Sequence, residues 1–273
     1  MIKTAFQSNQ SQQKFMKNIY KIQWRGISFK KVFGLCLSIV TALAINLMQI
    51  PAGFAADSTN IVGNWHLDEG RGKVAQDSSG NFNPGKLTAD TGGTAPTWIA
   101  RKFDTAALKF AGQGSVEIAD SPALEPANIT LEAWVKRSPG AASSEYVISK
   151  GAAECRVASY AFYTGSSKGL FFYVSDGKTY IESPDAGTNI WDDKWHHVAG
   201  TYDRQTVKLY VDGKQVGNGT PTTLTIGYGL PTNDKFYIGS YGTNCVPKFR
   251  GDIDEVRVWN QSLTDSEISN RAI

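Results

Sequence analysis

Apolar and polar residues alternate along the chain from about residue 57 onward, and helical periodicity is nearly absent there. The clearest alternation lies in Ile129–Lys136, 170–174, Trp195–Tyr202 and Thr206–Val211. A period of two places successive side chains on opposite faces of an extended strand. Each segment is therefore predicted to be a half-buried β-strand, and the pattern as a whole predicts an all-β fold.

Turn residues separate these segments. Asp-Gly pairs stand at 176–177 and 212–213, between alternating runs. This dipeptide favours the tight turns of antiparallel hairpins, because Asp and Gly tolerate positive φ. Short, evenly spaced strands with turn residues between them indicate a two-sheet antiparallel β-sandwich of the jelly-roll type.

Two further segments complete this prediction. Thr264 and Glu267 form a capping box ahead of Ile268, which predicts one short C-terminal helix. Residues 75–102 are rich in Gly, Ser, Asn and Thr and are predicted to form a long ordered loop. The sequence contains no internal repeat and no second-domain boundary, so residues 57–273 are predicted to be a single domain.

Residues 1–56 differ from the rest in charge and hydropathy. They contain seven Lys or Arg residues and no acid, and Lys30 and Lys31 precede an apolar run at 32–50. Small residues follow at 53–56, which is the layout of a secretory signal peptide, with Met16 as an alternative start. The run is also about long enough to be an uncleaved anchor. The leader predicts a secreted or cell-envelope protein that meets a membrane only through this segment, if it is not cleaved.

The distribution of charged residues along the chain limits the classes of partner that the sequence predicts. The chain has a net charge of +3, but seven of its 28 bases lie in the leader, which leaves 21 bases against 25 acids and a net charge of −4. Nucleic-acid binding requires a concentrated basic face. Residues 57–273 have no cluster of Lys and Arg, so a nucleic-acid partner is not predicted.

Two cysteines remain outside the leader, which contains Cys36. Cys155 and Cys245 both lie in segments that resemble loops, and export implies an oxidising compartment. A disulfide between them is predicted; the alternative is two separate buried thiols. No histidine lies at ligand spacing, so metal binding by these cysteines is not predicted.

Several short sequence motifs occur along the chain in an order that is typical of one family. They include Leu-Asp-Glu-Gly at 67–70, Asp-Ser-Ser-Gly-Asn at 77–81, Leu-Glu-Ala-Trp-Val at 131–135, Trp-His-His-Val-Ala-Gly-Thr-Tyr-Asp at 195–203, Leu-Tyr-Val-Asp-Gly at 209–213 and Gly-Asp-Ile-Asp-Glu-Val-Arg-Val at 251–258. This order closely resembles the laminin-G-like jelly-roll domains of bacterial extracellular proteins, relatives of pentraxins and concanavalin A-like lectins. The resemblance extends from about Ile61 to Ile268.

The resemblance implies two sheets packed face to face around a core of aromatic and aliphatic side chains. Trp134, Trp195 and Trp259 are interpreted as members of that core. His196 and His197 are adjacent on a strand and point to opposite faces, so they cannot bind one metal ion together.

Relatives of this fold commonly hold a calcium ion, and the sequence offers oxygen donors for one. Asp77 opens a polar loop that includes Asn81, and the resemblance implies that Asp254 faces this loop. Calcium requires six to eight oxygen ligands. A structural Ca²⁺ held by Asp77, Asn81 and Asp254 with loop carbonyls is therefore the hypothesis, although Pro84 stands where relatives often have Asp. The alternative is a turn built by Asp77 and a solvated or ion-paired Asp254.

Enzyme signatures are weak. Asp252 and Asp254 have the two-residue spacing of paired carboxylates in glucanases of this fold, and Glu255 follows, but the catalytic pattern of that family is not matched. The sequence has no nucleophile elbow, no His-Glu-x-x-His and no phosphate loop. No catalytic residue is predicted.

A non-catalytic binding module is the remaining prediction, with a glycan as the leading ligand. Trp191, Tyr180 and Tyr241 lie in or beside turn-like segments and are the candidate sugar-stacking residues. The alternative function is structural or adhesive binding of a cell-surface protein, and a polysaccharide-cleaving enzyme is the third.

Overall fold

The structure is a computed structural model that describes residues 60–273 except 102–104, 138, 141, 154, 156 and 244. The predictions made for the leader, including Met16 and Cys36, lie outside the described residues. The strands are β1 (Ile61–Trp65), β2 (Val74–Ala75), β3 (Gly85–Ala89), β4 (Thr97–Ala100), β5 (Ala106–Ala111), β6 (Gly114–Ile118), β7 (Ile129–Lys136), β8 (Tyr146–Ala152), β9 (Tyr160–Tyr163), β10 (Phe171–Ser175), β11 (Tyr180–Glu182), β12 (Trp195–Tyr202), β13 (Thr206–Val211), β14 (Lys214–Gln215), β15 (Thr220–Pro221), β16 (Asn233–Ile238) and β17 (Arg250–Trp259). Helix α1 spans Asp265–Arg271, and two 3-10 turns span Pro122–Leu124 and Thr188–Ile190.

These strands form two antiparallel sheets. The nine-stranded sheet has the order β14-β13-β12-β7-β17-β5-β4, with β1 beside β17 and β15 beside β13. The eight-stranded sheet has the order β11-β10-β9-β8-β16-β6-β3-β2. The predicted all-β, two-sheet sandwich with a short C-terminal helix is confirmed.

The core lies between the inner faces of the two sheets. Strand β7 contributes Ile129, Leu131, Ala133 and Val135, all fully buried, and its other residues point outward. Across the sandwich, Trp65 stacks on Phe236 with ring centroids 5.1 Å apart. Each large apolar side chain buried in this way stabilises the fold by about 1.5–3 kcal/mol.

Local signals in the sequence located several elements. The predicted strands Ile129–Lys136, Trp195–Tyr202 and Thr206–Val211 are β7, β12 and β13, and the strand predicted at 170–174 is displaced by one residue. Asp212 and Gly213 connect β13 to β14 with φ of 48° and 75°, the two positive values that a type I′ hairpin turn requires. Helix α1 begins at the predicted capping box of Thr264 and Glu267.

The prediction of one long loop at 75–102 is wrong, because this segment contains β3 and β4. Strand β3 pairs with β6, and β4 pairs with β5. Gly85 and Leu87 are the buried residues of β3, and because glycine has no apolar side chain, only Leu87 marks the buried face in the sequence. Pairing with β6, which is remote in sequence, gives β3 its extended conformation.

The three tryptophans interpreted as core residues lie on the outer face of the nine-stranded sheet. Trp259 is buried there with Leu263 and Ile268 under α1. Trp134 and Trp195 are partly exposed, and the Arg101 guanidinium lies 5.2 and 4.5 Å from their ring centroids. The core interpretation is therefore wrong for Trp134 and Trp195 and correct for Trp259, which belongs to a second buried cluster on the outer side of the sheet.

His196 and His197 occupy opposite faces of β12 and have different partners, as predicted. His196 contacts Asp192 and Asp212, whereas His197 is buried beside Glu132. In the part of the chain that the structure describes, no helix has the length and apolar character needed to cross a membrane.

Candidate functional site

Five tyrosines form a continuous cluster on the outer face of the eight-stranded sheet, which we call the tyrosine face. They come from four adjacent strands and the segment after β16, namely Tyr146, Tyr163, Tyr173, Tyr180 and Tyr241. Ring centroids are 4.5 Å apart for Tyr146 and Tyr241, 4.7 Å for Tyr146 and Tyr163, and 5.3 Å for Tyr173 and Tyr180. Such spacings are those of favourable aromatic pairs.

Strand register explains why these rings meet. Tyr146 is opposite Tyr163 in the β8–β9 pair, and Tyr173 is opposite Ala161 in the β9–β10 pair. The residues between them, such as Phe162 and Phe172, point into the core. The small side chain of Ala161 leaves room for the phenol ring of Tyr173 to lie across the sheet.

Hydrogen bonds join two of the phenols to each other and connect the cluster to the backbone of Ala153, Val157 and Ala158. The hydroxyls of Tyr146 and Tyr173 are 3.0 Å apart, and the Ala158 amide donates to the Tyr173 hydroxyl at 2.9 Å. The Tyr241 hydroxyl donates to the Val157 carbonyl at 2.7 Å. Burial raises the pKa of the Tyr146 and Tyr173 phenols, so both stay protonated hydrogen-bonding groups.

The predicted disulfide between Cys155 and Cys245 is present beside this cluster. Their Cα atoms are 5.5 Å apart, and the bond joins the segment after β8 to the segment after β16. Gly242, with φ of +78°, lies so close to the Tyr237 ring that a side chain would overlap it. The disulfide and these contacts keep Tyr241 buried against the tyrosine face.

One end of the cluster reaches solvent, and we call it the open end: Tyr163, Phe171, Tyr180 and Glu182. Tyr180 is 46% exposed, whereas Tyr173 beneath it is 2% exposed. Glu182 is directly opposite Tyr173 in the β10–β11 pair and is partly buried. The Glu182 carboxylate and burial raise the pKa of the Tyr180 phenol, which reflects the short distance between the two groups. The open end combines exposed aromatic surface with one carboxylate.

The structure brings together two of the three predicted sugar-stacking residues. Tyr180 and Tyr241 belong to the same cluster, but Tyr241 is only 1% exposed. Trp191 lies elsewhere and is 2% exposed; its indole donates to the Lys168 carbonyl at 2.9 Å and packs against Phe249. Because stacking on a sugar needs an exposed ring, Trp191 and Tyr241 as buried here do not fit the predicted role, whereas Tyr180 does.

Sequence reasoning missed Tyr146, Tyr163 and Tyr173. A signal existed, because Phe171 and Tyr173 occupy the outward positions of an alternating strand, where polar residues are usual. Alternation cannot reveal which strands are neighbours. The grouping of the tyrosines therefore required the sheet order.

Asp77 organises the loop between β2 and β3. Its Oδ1 accepts hydrogen bonds from the amides of Asn64 (3.0 Å) and Ser79 (2.9 Å). Its Oδ2 accepts from the Ser79 hydroxyl and the Asn83 amide, both at 2.9 Å. Asn81 donates to the Val62 carbonyl at 3.2 Å. Four donors thus occupy the carboxylate, and a cation could bind it only if some of them were released.

Asp254 has different neighbours. Its carboxylate is 1% exposed and forms an ion pair with Arg101 through Oδ2. Burial, only partly offset by Arg101, raises its pKa to about 7. Among the described residues Oδ1 has no hydrogen-bond partner, and no hydrogen bond joins Asp254 to Asp77 or Asn81. With the Asp77 carboxylate occupied by four donors and Asp254 paired to Arg101, these residues as arranged do not fit a shared calcium ion, and calcium stays a prediction.

Within the described residues, one group of three acids has the spacing of a metal site, namely Asp120, Glu125 and Asp234. The fully buried ammonium of Lys150 lies among them, 2.8 Å from Asp120, 3.5 Å from Glu125 and 3.4 Å from Asp234. This lysine therefore occupies the centre of the group and compensates one of its three negative charges.

The three carboxylates with glucanase-like spacing also have cationic neighbours. Asp252 is flanked by Lys109 and Lys136 across the sheet, and Glu255 contacts His66 and Arg257. Asp254 and Glu255 thus form ion pairs, whereas Asp252 lies between lysines of the neighbouring strands and forms no direct ion pair among the described residues. The arrangement therefore gives no support to a pair of hydrolytic carboxylates.

Comparisons with known proteins agree with this architecture. A family model described as Laminin_G_3, concanavalin A-like lectin/glucanases superfamily, matches residues 110–269. Pappalysin-1 of Mus musculus is 27% identical over an alignment of 176 residues, and the match covers 59% of this chain and 11% of that protein. The chain thus spans about a tenth of that relative's length.

Two solved structures share the fold. One is domain 4 of AbnA, a GH43 extracellular arabinanase from Geobacillus stearothermophilus, in complex with arabinotriose; it is 20% identical with a TM-score of 0.60, over 78% of this chain and 98% of that one. The other is the binding domain of botulinum neurotoxin DC in complex with rat synaptotagmin II, 12% identical with a TM-score of 0.60, over 79% of this chain and 51% of that one. Identities this low show a common fold alone.

Proposed function

This chain belongs to the concanavalin A-like lectin/glucanase superfamily, and we propose that it is an extracellular, non-catalytic module that binds a glycan at the open end of the tyrosine face. The observation that supports this most directly is the exposed Tyr180 ring on a rigid aromatic cluster. Domain 4 of AbnA offers fold-level support, since that domain was solved with an oligosaccharide. A shared fold permits many functions, so the proposal depends on the site.

The open end has the chemistry that sugar binding needs. A pyranose presents C–H groups on one face and hydroxyls at its edge, and a tyrosine offers an apolar ring with a polar tip. Tyr180 is supported from below by Tyr173, and Tyr173 is held by the Tyr146 hydroxyl and the Ala158 amide. A site that is already ordered loses little conformational entropy on binding.

Substitution of Tyr180 tests this proposal. We expect Tyr180→Ala to weaken binding of the recognised glycan about tenfold or more, because the exposed stacking surface is lost. The measurement is a glycan array with the full chain, followed by calorimetric titration of the best ligand. Phe82→Ala is the matched control, since Phe82 is 87% exposed in the loop between β2 and β3. Equal affinity of Tyr180→Ala and the wild type would exclude this site.

Binding of a protein partner is the second function, and the neurotoxin binding domain in complex with synaptotagmin shows that a domain of this fold can do so. A silent glycan array combined with recovery of a defined cell-envelope protein in pull-downs would favour it. Hydrolysis is the third function, and release of reducing ends from assorted glucans would reveal it.

An extracellular location is part of the same proposal. The Cys155–Cys245 disulfide is typical of an oxidising compartment, and the arabinanase whose domain 4 has this fold is extracellular. Export would depend on the leader, for which cleavage and anchoring remain the alternatives.

The calcium prediction has a separate test. If a site binds Ca²⁺, the free energy of unfolding rises by about 2.7 kcal/mol at a hundredfold excess over Kd, and chelator removes that gain. Thermal unfolding of the wild type with Ca²⁺ and with chelator measures this directly. The Asp77→Ala variant alone does not test calcium binding, because it removes four hydrogen bonds and lowers stability both with Ca²⁺ and with chelator. An unchanged melting temperature in the wild type would end the calcium hypothesis.

A further inference from the structure

We propose that the glycan recognised at the open end contains a protonated amine, as in units of unacetylated glucosamine, and that Glu182 is the residue that selects it. This inference rests on the proposed function and names its ligand class. It follows from three features of the open end: a carboxylate without a partner, aromatic rings around it, and the contrast with acids elsewhere on the same sheet.

Glu182 has no counter-charge in the described part of the chain, where its side chain forms neither an ion pair nor a hydrogen bond. Burial and then the nearby Asp185 raise the pKa of its carboxyl group. Asp185 itself accepts hydrogen bonds from the amides of Leu170 and Gly187. A partly buried carboxylate beside a second acid is stabilised by a cation from outside the protein.

Two other carboxylates on strands of the eight-stranded sheet or at their ends already have cations. Glu117 lies on the same outer face, opposite Tyr237, and binds Lys235 at 2.9 Å and the Thr88 hydroxyl at 3.0 Å. Asp120, two residues after the end of the same strand, binds Lys150 at 2.8 Å. Glu182 therefore differs from them, because no cation among the described residues compensates its charge and a bound ligand can do so.

Aromatic rings next to Glu182 add to the attraction for a cation. Tyr173 is directly opposite it, Tyr180 is two residues before it on the same strand face, and Tyr163 is 6.1 Å from Tyr173 by ring centroids. The negative face of an aromatic ring attracts an ammonium group within about 6 Å. A neutral sugar would leave the Glu182 charge uncompensated, and an acidic sugar would be repelled by it.

The experiment compares two oligosaccharides with the same sugar backbone, one with protonated amines and the other with neutral acetamido groups at the same positions. A glucosamine hexamer and an N-acetylglucosamine hexamer are titrated by calorimetry into the full chain, at a pH at which the free amines are protonated. We expect the glucosamine hexamer to bind about tenfold tighter, and this preference to shrink as salt is added. Glu182→Gln, which keeps size and shape, should abolish the preference, whereas Glu117→Gln should keep it. Tyr180→Ala should weaken both hexamers.

The possible failures are distinguishable. Equal binding of both hexamers by the wild type, or a preference that survives in Glu182→Gln, would overturn the amine assignment while glycan binding stands. A preference lost equally in Glu117→Gln would also overturn it, because the effect would then belong to the general acidity of the face. Absence of binding to both hexamers and to every other glycan of the array would overturn the proposed function as well. Unchanged thermal unfolding of each variant verifies that it is folded.

Discussion

Removal of the Cys155–Cys245 disulfide is expected to lower the free energy of unfolding by about 4 kcal/mol. The bond joins residues 90 positions apart, and closing so long a loop reduces the entropy of the unfolded chain. Both cysteines are exposed, so Cys155→Ala with Cys245→Ala removes little packing. Urea unfolding of the double variant measures the loss, and Cys36→Ala, which leaves the bond in place, is the control. A loss below about 1 kcal/mol would show that the unfolded chain is already restricted without the bond.

The same double variant is expected to disturb the tyrosine face. Tyr241 is held by hydrogen bonds to Ala153 and Val157 on one side of the disulfide, and its ring packs 4.5 Å from that of Tyr146. Without the bond the two segments are held by these contacts alone, so their opening costs less free energy. Hydrogen exchange of the Ala153 and Ala158 amides should therefore accelerate. Glycan affinity should fall less than in Tyr180→Ala, because the open end lies at the other end of the cluster.

Glu132→Gln is expected to lower the free energy of unfolding by about 3–5 kcal/mol. The Glu132 side chain is fully buried and accepts a hydrogen bond from the Trp259 indole at 3.1 Å. Its oxygens lie 3.3 Å from His197 Nε2 and 3.5 Å from Arg257 Nη1. Removal of one partner of a buried ion pair leaves the other charges uncompensated, which is the costly change.

This network also makes stability depend on pH. Burial by itself raises the pKa of Glu132, but the His197 hydrogen bond and the Arg257 charge outweigh it and hold the pKa below its usual 4.5. Because the folded-state pKa is lower than the unfolded-state value, the stabilisation is present above about pH 4.5 and is lost as pH falls through the folded-state pKa.

Urea unfolding between pH 3 and pH 7 tests both statements. Glu132→Gln should be less stable at neutral pH and should lose less stability than the wild type on acidification. Glu117→Gln is the matched control, since its exposed pair with Lys235 contributes about 0–1 kcal/mol. Parallel pH profiles of the wild type and Glu132→Gln would show that Glu132 does not titrate in this range.

Both predictions concern layers outside the central core. The Glu132 network lies beneath α1 on the outer face of the nine-stranded sheet, and the disulfide lies over the outer face of the eight-stranded sheet. The segments that cover these outer faces bury side chains that the alternation of the strands predicts to be exposed to solvent. One face remains partly open, at Tyr180 and Glu182, and this is where we propose that the ligand binds.

Local features of the sequence determined the class of fold and several elements. Strand β7 was predicted at Ile129–Lys136 because its alternation depends on neighbouring residues alone. The hairpin turn at Asp212 and Gly213 and the capping box at Thr264 follow from the conformations that these residue types favour. The disulfide followed from the presence of only two cysteines outside the leader.

Only the tertiary structure decided which aromatic side chains are exposed and which acids have partners. Tyr146 and Tyr241 meet through strand pairing between distant parts of the chain, and Trp191 is buried although it stands in a turn-like segment. Glu117 and Glu182 look alike in sequence, yet one faces Lys235 and the other faces tyrosines. The surroundings of a side chain on a sheet depend on sheet order and register, and these are settled by contacts between strands remote in sequence.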